Sequence, residues 1–263
     1  MNFFGISHIG NSRNNQEDNL LINQEHLDIF SVKEISQSSP CVRFKQETES
    51  ENAIFAVSDG MGGHASGEIA SYMAVKYLSD NYSDILKSNR SSLLASLAEL
   101  NREVTKQSYV SPEYKGMGAT LCGVIRREDS LLGFNVGDSR LYRFYEGTLQ
   151  QVSKDHSEGQ RLLDLKLLNE EELKSFPNRK AIYKYIGMRA ELVADVFEIA
   201  PCNVGTILLL CSDGLTDVVS NEEIRDILNT DVTLREKGEM LLSTSLARNV
   251  GHGDNITIVL TEF

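Results

Sequence analysis

The chain has 263 residues, 41% hydrophobic and 24% charged, with a formal net charge of −12. That composition is ordinary for a soluble globular protein with a real core, and the length suits one large sandwich or barrel. The acidic balance opposes nucleic-acid binding, which needs Lys and Arg to replace counterions, and no stretch approaches the ~18 uninterrupted apolar residues of a membrane helix.

From the N-terminus, MNFFGISHIG lacks the basic segment and long apolar run of a secretory signal, so the expected address is the cytoplasm, away from membranes. Short runs rich in Val, Ile, Leu and Phe, bounded by turn residues, then predict strands. They are NLLI at 19–22, AIFAVS before Asp59, ATLCGVI after Gly118, LLGFNV before Gly137, RLYRFY after Ser139, TILLLCS before Asp213 and NITIVLTEF at the end. RLYRFYEGTLQQV predicts a hairpin turning at Glu146-Gly147. Helical periodicity over 64–87 places Ile69, Met73 and Tyr77 on one stripe, and over 90–108 it aligns Leu93, Leu94, Leu97, Leu100 and Val104. Asn169 with Glu172, Ser220 with Glu223, and Thr233 with Glu236 each have the spacing of a capping box. Long amphipathic helices between antiparallel-looking strands predict a layered sheet covered by helices on its outer faces.

Two segments read as additions to this frame. Residues 31–52 are rich in Ser, Gln and Glu, with CVRF as the one strand candidate, and predict a long hairpin or mobile excursion. Residues 156–187 hold two short helical patterns with little other apolar periodicity, as a flap would. Cys41, Cys122, Cys202 and Cys211 are widely spaced without a CxxC pair, which predicts reduced, buried thiols rather than zinc or disulfides.

Aspartates recur in one local setting. Asp59 follows IFAVS and precedes Gly60, Asp138 follows GFNVG, Asp213 follows ILLLCS and precedes Gly214, and Asp254 sits in GHGDN before ITIVL. Glu17-Asp18 directly precedes NLLI. A carboxylate at a strand end projects from a rigid element, and glycine beside it lets backbone or an ion approach closely. Any one of them reads as well as the cap of a common Asp-Gly turn. Packed together without a cation, they would raise one another's pKa values. An all-oxygen set without consistent His or Cys selects Mg²⁺, Mn²⁺ or Ca²⁺ over zinc. The Asp-x-Asp-x-Asp-Gly loop of a calcium buffer is absent, which favours a catalytic pair of ions.

RNNQED (13–18), VSDGMGGHASGEIAS (57–71), GMGATLCGV (116–124), NVGDSRLYRF (135–144), KDHS (154–157), LLLCSDGLTDVVS (208–220) and GHGDNITIVL (251–260) resemble the protein phosphatase 2C-type, metal-dependent Ser/Thr phosphatases, the bacterial branch most. The motifs stand in family order, and the resemblance spans essentially the whole chain. It implies an α+β fold, a central β-sandwich of two antiparallel sheets flanked by α-helical layers (αββα), with residues 1–263 as a single catalytic domain. It implies Mn²⁺ or Mg²⁺, two ions with a third, weaker site. Asp59 would bridge two ions with the Gly60 carbonyl as a further ligand, Asp213 and Asp254 would hold one ion, Asp18 would support the other, and Glu17 would act through bound waters. Asp138 would join Asp213 around the third ion, and Arg13 would grip the substrate phosphate with its planar fork. The nucleophile implied is a water bridging two ions, so no phosphoenzyme forms. The partners implied are phosphorylated proteins, a Hanks-type Ser/Thr kinase and its substrates among them. Nothing in the sequence suggests an obligate oligomer, so a monomer is expected.

The chain departs from the pattern in places. Gln16 stands where many relatives carry asparagine. Met61 replaces a histidine proposed as general acid in the eukaryotic branch, and a thioether cannot donate that proton, which leaves the task to a bound water. His64 reads as a helix-capping residue or a catalytic one, and His156 as structural. In relatives 156–187 is a flap beside the active site; here it carries Arg161, Lys166, Lys174, Arg179, Lys180 and Lys184, either a docking surface for phosphoproteins or a solvated face. Two competing readings are a metal-dependent nuclease, opposed by the charge, and a catalytically dead regulatory module, opposed by the full set of aspartates.

Overall fold

Strand residues alternate strictly between two cores, and that alternation builds the architecture. In the computed structural model, which describes residues 2–47, 52–62, 66–128, 130–200, 202–249 and 253–263, the strands are β1 (Asn2–His8), β2 (Asn19–Ile22), β3 (Glu25–His26), β4 (Cys41–Glu47), β5 (Ala53–Ser58), β6 (Gly60–Met61), β7 (Gly118–Ala119), β8 (Leu121–Arg127), β9 (Ser130–Val136), β10 (Arg140–Tyr145), β11 (Thr148–Gln151), β12 (Asp195–Ile199), β13 (Ile207–Cys211) and β14 (Ile256–Glu262). The helices are α1 (Ile29–Glu34), α2 (Gly67–Asp80), α3 (Tyr82–Lys87), α4 (Arg90–Gln107), α5 (Glu158–Asp164), α6 (Glu170–Lys174), α7 (Asp213–Thr216), α8 (Asn221–Leu228) and α9 (Leu234–Arg248).

One sheet has the order β11-β10-β13-β14-β1-β4 and the other β12-β9-β8-β5-β2-β3. Every pairing between these strands is antiparallel. Phe55 and Val57 of β5 face Phe3, Leu208, Leu210 and Val259 across the space between the sheets. Their neighbours Ile54 and Ala56 turn outward to the cluster formed with α2 and α4. On the other sheet, Phe4, Leu209 and Cys211 turn outward against Leu215, Ile224, Leu228 and Leu241 of α7, α8 and α9. A period-two side-chain pattern buried on both faces demands this helix–sheet–sheet–helix layering. The fold is the expected α+β sandwich.

The three capping boxes form as expected, with reciprocal side-chain and backbone bonds at Asn169/Glu172, Ser220/Glu223 and Thr233/Glu236. Glu146 (φ 47°) and Gly147 (φ 74°) both take the left-handed conformation that a tight hairpin turn requires between β10 and β11.

The structure corrects several readings. The helix over 64–87 is two helices, α2 and α3, meeting at Asn81. Its deepest face is Ala70, Ser71, Ala74 and Leu78, while Ile69, Met73 and Tyr77 are half-buried at its flank. Small side chains let the helix sit close to the sheet, and the larger stripe packs sideways. The added segment is not a hairpin: it forms α1 and then β4, which pairs along β1 as an edge strand, with residues 48–51 outside the described residues. The strands β1 and β12, which the sequence reading passed over, are set by their partners β14 and β9. Among the cysteines, all free, Cys122 and Cys211 are buried as expected, but Cys41 and Cys202 are half-buried. Burial pushes the Cys211 thiol up to about 12, so it stays protonated and inert.

Candidate active site

The strand registers bring the expected acidic residues to one end of the sandwich. Asn19 at the start of β2 pairs with Ser58 at the end of β5, Leu121 at the start of β8 with Val136 at the end of β9, and Arg140 at the start of β10 with Cys211 at the end of β13. Cys211 also lies opposite Ile258, near the start of β14. Asp18, Asp59, Asp138, Asp213 and Asp254 each lie within two residues of one of these strand ends. Residues scattered across the chain thereby share one rim.

Short hydroxyl and amide side chains fasten the rim. The Asp59 N–H donates to Thr120 Oγ1 (2.9 Å), its carbonyl accepts from the Thr120 N–H (2.8 Å), and Thr120 Oγ1 meets Ser139 Oγ at 2.7 Å, bracing Asp59 against the turn that carries Asp138. Ser212 Oγ donates to Asp18 Oδ2 (2.7 Å), joining one sheet to the other. Asn255 accepts the Glu17 N–H (2.8 Å) and donates to the carbonyls of Ile9 (2.9 Å) and Asn15 (3.0 Å). The Gly60 N–H donates to the Glu17 carbonyl at 3.1 Å. A side chain on Gly60 would stand 2.1 Å from the Gly67 carbonyl oxygen, so only glycine fits there.

The electrostatics record the crowding. Burial first, and then its acidic neighbours, hold Glu17 and Asp18 up at about 7, and burial with the nearby Asp155 does the same for Asp138. Asp59 is pushed well above the usual carboxylate range by burial and by Asp18, Asp213, Asp254 and Asp138. Asp213 is raised likewise by burial and by Asp138, Asp217, Asp254 and Asp18. Asp18 Oδ1 and Asp213 Oδ1 are buried with no hydrogen-bond partner. Orphaned carboxylate oxygens in an all-oxygen rim fit a hard divalent cation. Among the described residues no group of three or more His, Cys, Asp or Glu side chains stands at the spacing that holds an ion.

Arg13 stands at the same rim, its guanidinium 2.6 Å from Asp254 Oδ2. Met61 pairs with Gly118 beside Gly60. His64, Gly251 and His252 lie outside the described residues.

The sequence model described as Protein phosphatase 2C matches residues 34–250. The chain belongs to the protein phosphatase 2C family. It is 34% identical over 221 residues to the serine/threonine phosphatase stp of Listeria monocytogenes, covering 82% of this chain and 86% of that one. It is 36% identical over 211 residues to the protein phosphatase PhpP of Streptococcus pneumoniae, covering 79% and 84%. The solved structure of the S. agalactiae serine/threonine phosphatase superposes with a TM-score of 0.80 at 29% identity, covering 98% of each chain.

Within this phosphatase fold, His156 has the structural place expected of it. Its Nδ1 accepts the Gly137 N–H (3.0 Å), its own N–H donates to the Gly137 carbonyl (2.8 Å), and Nε2 lies 3.2 Å from Asp195. The flap, α5 and α6, borders a cavity of about 340 Å³ that Asp138, Asp213 and Asp217 share with Arg179 and Lys180. Its basic residues are largely neutralised: Arg161 pairs with Glu158, Lys174 with Glu171, Lys180 with Asp217 and Lys184 with Asp195. That local balance weakens the docking role considered for the flap.

Asn255, Ser212, Thr120 and Ser139 were not singled out from the sequence, because Asn, Ser and Thr carry no signal until their partners are known. Glu68 was missed too; its Oε2 is buried without a partner, and its charge raises Glu17. Replacing Asn255 by alanine leaves a backbone N–H and two carbonyls unpaired. It should cost about 2 kcal/mol in urea unfolding and about tenfold in phosphatase activity, through slippage of the Glu17-Asp18 loop.

Proposed function

We propose that this chain is a metal-dependent protein phosphatase that hydrolyses phosphoserine and phosphothreonine in proteins, a single catalytic domain working with Mn²⁺ or Mg²⁺. The observation that carries the proposal is the convergence of Asp18, Asp59, Asp138, Asp213 and Asp254 on one rim, with Asp18 Oδ1 and Asp213 Oδ1 buried and unpartnered. Asp59 with the Gly60 carbonyl, Asp213, Asp254, Asp18 and Glu17 would hold two ions, and Asp138 with Asp213 a third, weaker one.

Ions in such a site activate water and neutralise charge on a transferring phosphoryl group. The protein's own groups do the rest. Arg13 offers a planar fork to two phosphate oxygens, and one of its terminal nitrogens rests on Asp254. Thr120 and Asn255 fix the backbone on which Asp59 and Glu17 ride. Met61, a thioether, donates no proton to the leaving group. We infer that the protein acts in the cytoplasm, as a monomer, on a Hanks-type kinase and its substrates.

The test is hydrolysis of a phosphothreonine peptide and an aryl phosphate in Mn²⁺, in Mg²⁺ and in EDTA. Activity with either ion and its disappearance in chelator are expected; unchanged rates after chelation would overturn the mechanism.

A further inference from the structure

A second recess lies beside the β6–β7 ribbon, where the C-terminal end of the 156–187 segment bonds to β7. It encloses about 530 Å³, and its walls include Tyr109, Lys115, Gly116, Tyr185, Gly187 and Arg189. Its lining contains two cations and no carboxylate, although the protein as a whole carries a net charge of −12. Among the described residues neither cation is in an ion pair, and the Arg189 guanidinium lies 5.5 Å from the centre of the Tyr109 ring. Tyr109 is 64% exposed, an aromatic surface held open at the end of α4. The flap cations, by contrast, are mostly spent on their own carboxylates.

The recess is stitched to the active-site rim. Tyr185 packs so closely on Gly118 that a side chain there would stand 2.6 Å from its ring. Ile186 exchanges backbone hydrogen bonds with Ala119 (3.0 and 2.8 Å), Ala119 lies opposite Gly60, and Thr120 bonds Asp59. Two interstrand steps of ~4.8 Å separate the Tyr185 segment from Gly60, about 10 Å in all, and an extended peptide covers that in about three residues.

We propose that this recess docks the acidic flank of a phosphoprotein substrate, with Lys115 and Arg189 receiving carboxylates two to four residues from the phosphorylated side chain. The proposal rests on the phosphatase reading above and adds a sequence preference to it. A protein of this charge repels acidic segments at long range, so a carboxylate-free pair of cations beside the rim gives such a segment one favourable landing place. The two tyrosine rings supply apolar area for the peptide stems, and at Gly116 nothing stands within 4 Å of where a side chain would lie, which leaves the recess open to backbone there.

The experiment compares labelled phosphothreonine peptides that carry glutamates or glutamines two to four positions from the phosphothreonine. Each is titrated by fluorescence anisotropy and assayed for hydrolysis in Mn²⁺, with wild type and with Lys115→Glu/Arg189→Glu. Wild type should favour the glutamate peptide by about tenfold in Kd and KM at low salt, less at high salt, and the double variant should bring the ratio to about one with kcat held. Lys115→Gln/Arg189→Gln should fall between, and it guards against a fold defect caused by charge reversal. No preference in wild type, or a preference that survives in both variants, overturns the docking site. Aryl phosphate hydrolysis by wild type reads the chemistry separately. Its absence alongside a charge-dependent anisotropy difference would overturn the phosphatase reading and leave the recess standing.

Discussion

Asp213→Ala should lower kcat/KM for a phosphothreonine peptide by at least ~10²-fold in saturating Mn²⁺. Asp213 opens α7 directly after β13, so its carboxylate sits on a rigid element rather than a loop. Its Oδ1 is buried without a partner, and its charge is opposed by Asp138, Asp217, Asp254 and Asp18. A buried carboxylate kept against that repulsion is destabilising unless it serves a cation. Removing it should therefore leave the ion-free fold at least as stable as wild type, while Mn²⁺ binding by calorimetry weakens. Thermal melts in EDTA, calorimetry and kinetics together separate a lost ligand from a lost fold. Activity within threefold of wild type, or a melting point that collapses, would remove Asp213 from the proposed ion site.

Stripped of divalent ions, the protein should lose stability as pH rises from about 4 to about 7. Burial and acidic neighbours hold Glu17, Asp18 and Asp138 up at about 7 in the folded chain, above ordinary carboxyl values. Between those limits the folded state binds more protons than the unfolded state. Raising pH therefore ionises groups where their charge is disfavoured, and the unfolding free energy declines until the folded pKa values are passed. Asp195 works in the opposite sense, because hydrogen bonding to His156 and Lys184 holds it down at about 2 against the effect of its burial. Its contribution is lost only as pH falls through about 2, outside the window. Divalent ions bind the ionised carboxylates, so the rise in Tm on adding Mn²⁺ should be larger at pH 7.5 than at pH 5. In EDTA the drop in Tm across the window should be at least about 5 °C. A Tm in EDTA that stays flat or rises would mean that the carboxylates are not crowded at this rim.

Local chemistry carried much of this protein in its sequence. The alternating apolar runs became β2, β5, β8, β9, β10, β13 and β14, the three Ser/Thr/Asn-to-Glu spacings became capping boxes, and Glu146-Gly147 became the turn its φ angles require. These features depend on neighbours within a few residues, so they are legible one segment at a time. The aspartates were legible as well, because each stands just before or just after an apolar strand, most of them beside glycine.

Register and long-range contact could be decided only in three dimensions. Pairing of β1 with β14 joins the two ends of the chain, and no local pattern specifies a partner that distant. The burial of Ala70 and Ala74 in place of Ile69 and Met73 follows from how closely α2 approaches the sheet, which periodicity does not encode. Ser212 reaching Asp18, Asn255 holding Glu17, and Arg13 meeting Asp254 are contacts across more than 190 residues of chain. Hydrogen bonds and Coulomb forces act over a few ångströms of space regardless of chain separation, so the amino-acid order named the acidic groups and the packing of the two sheets made them neighbours.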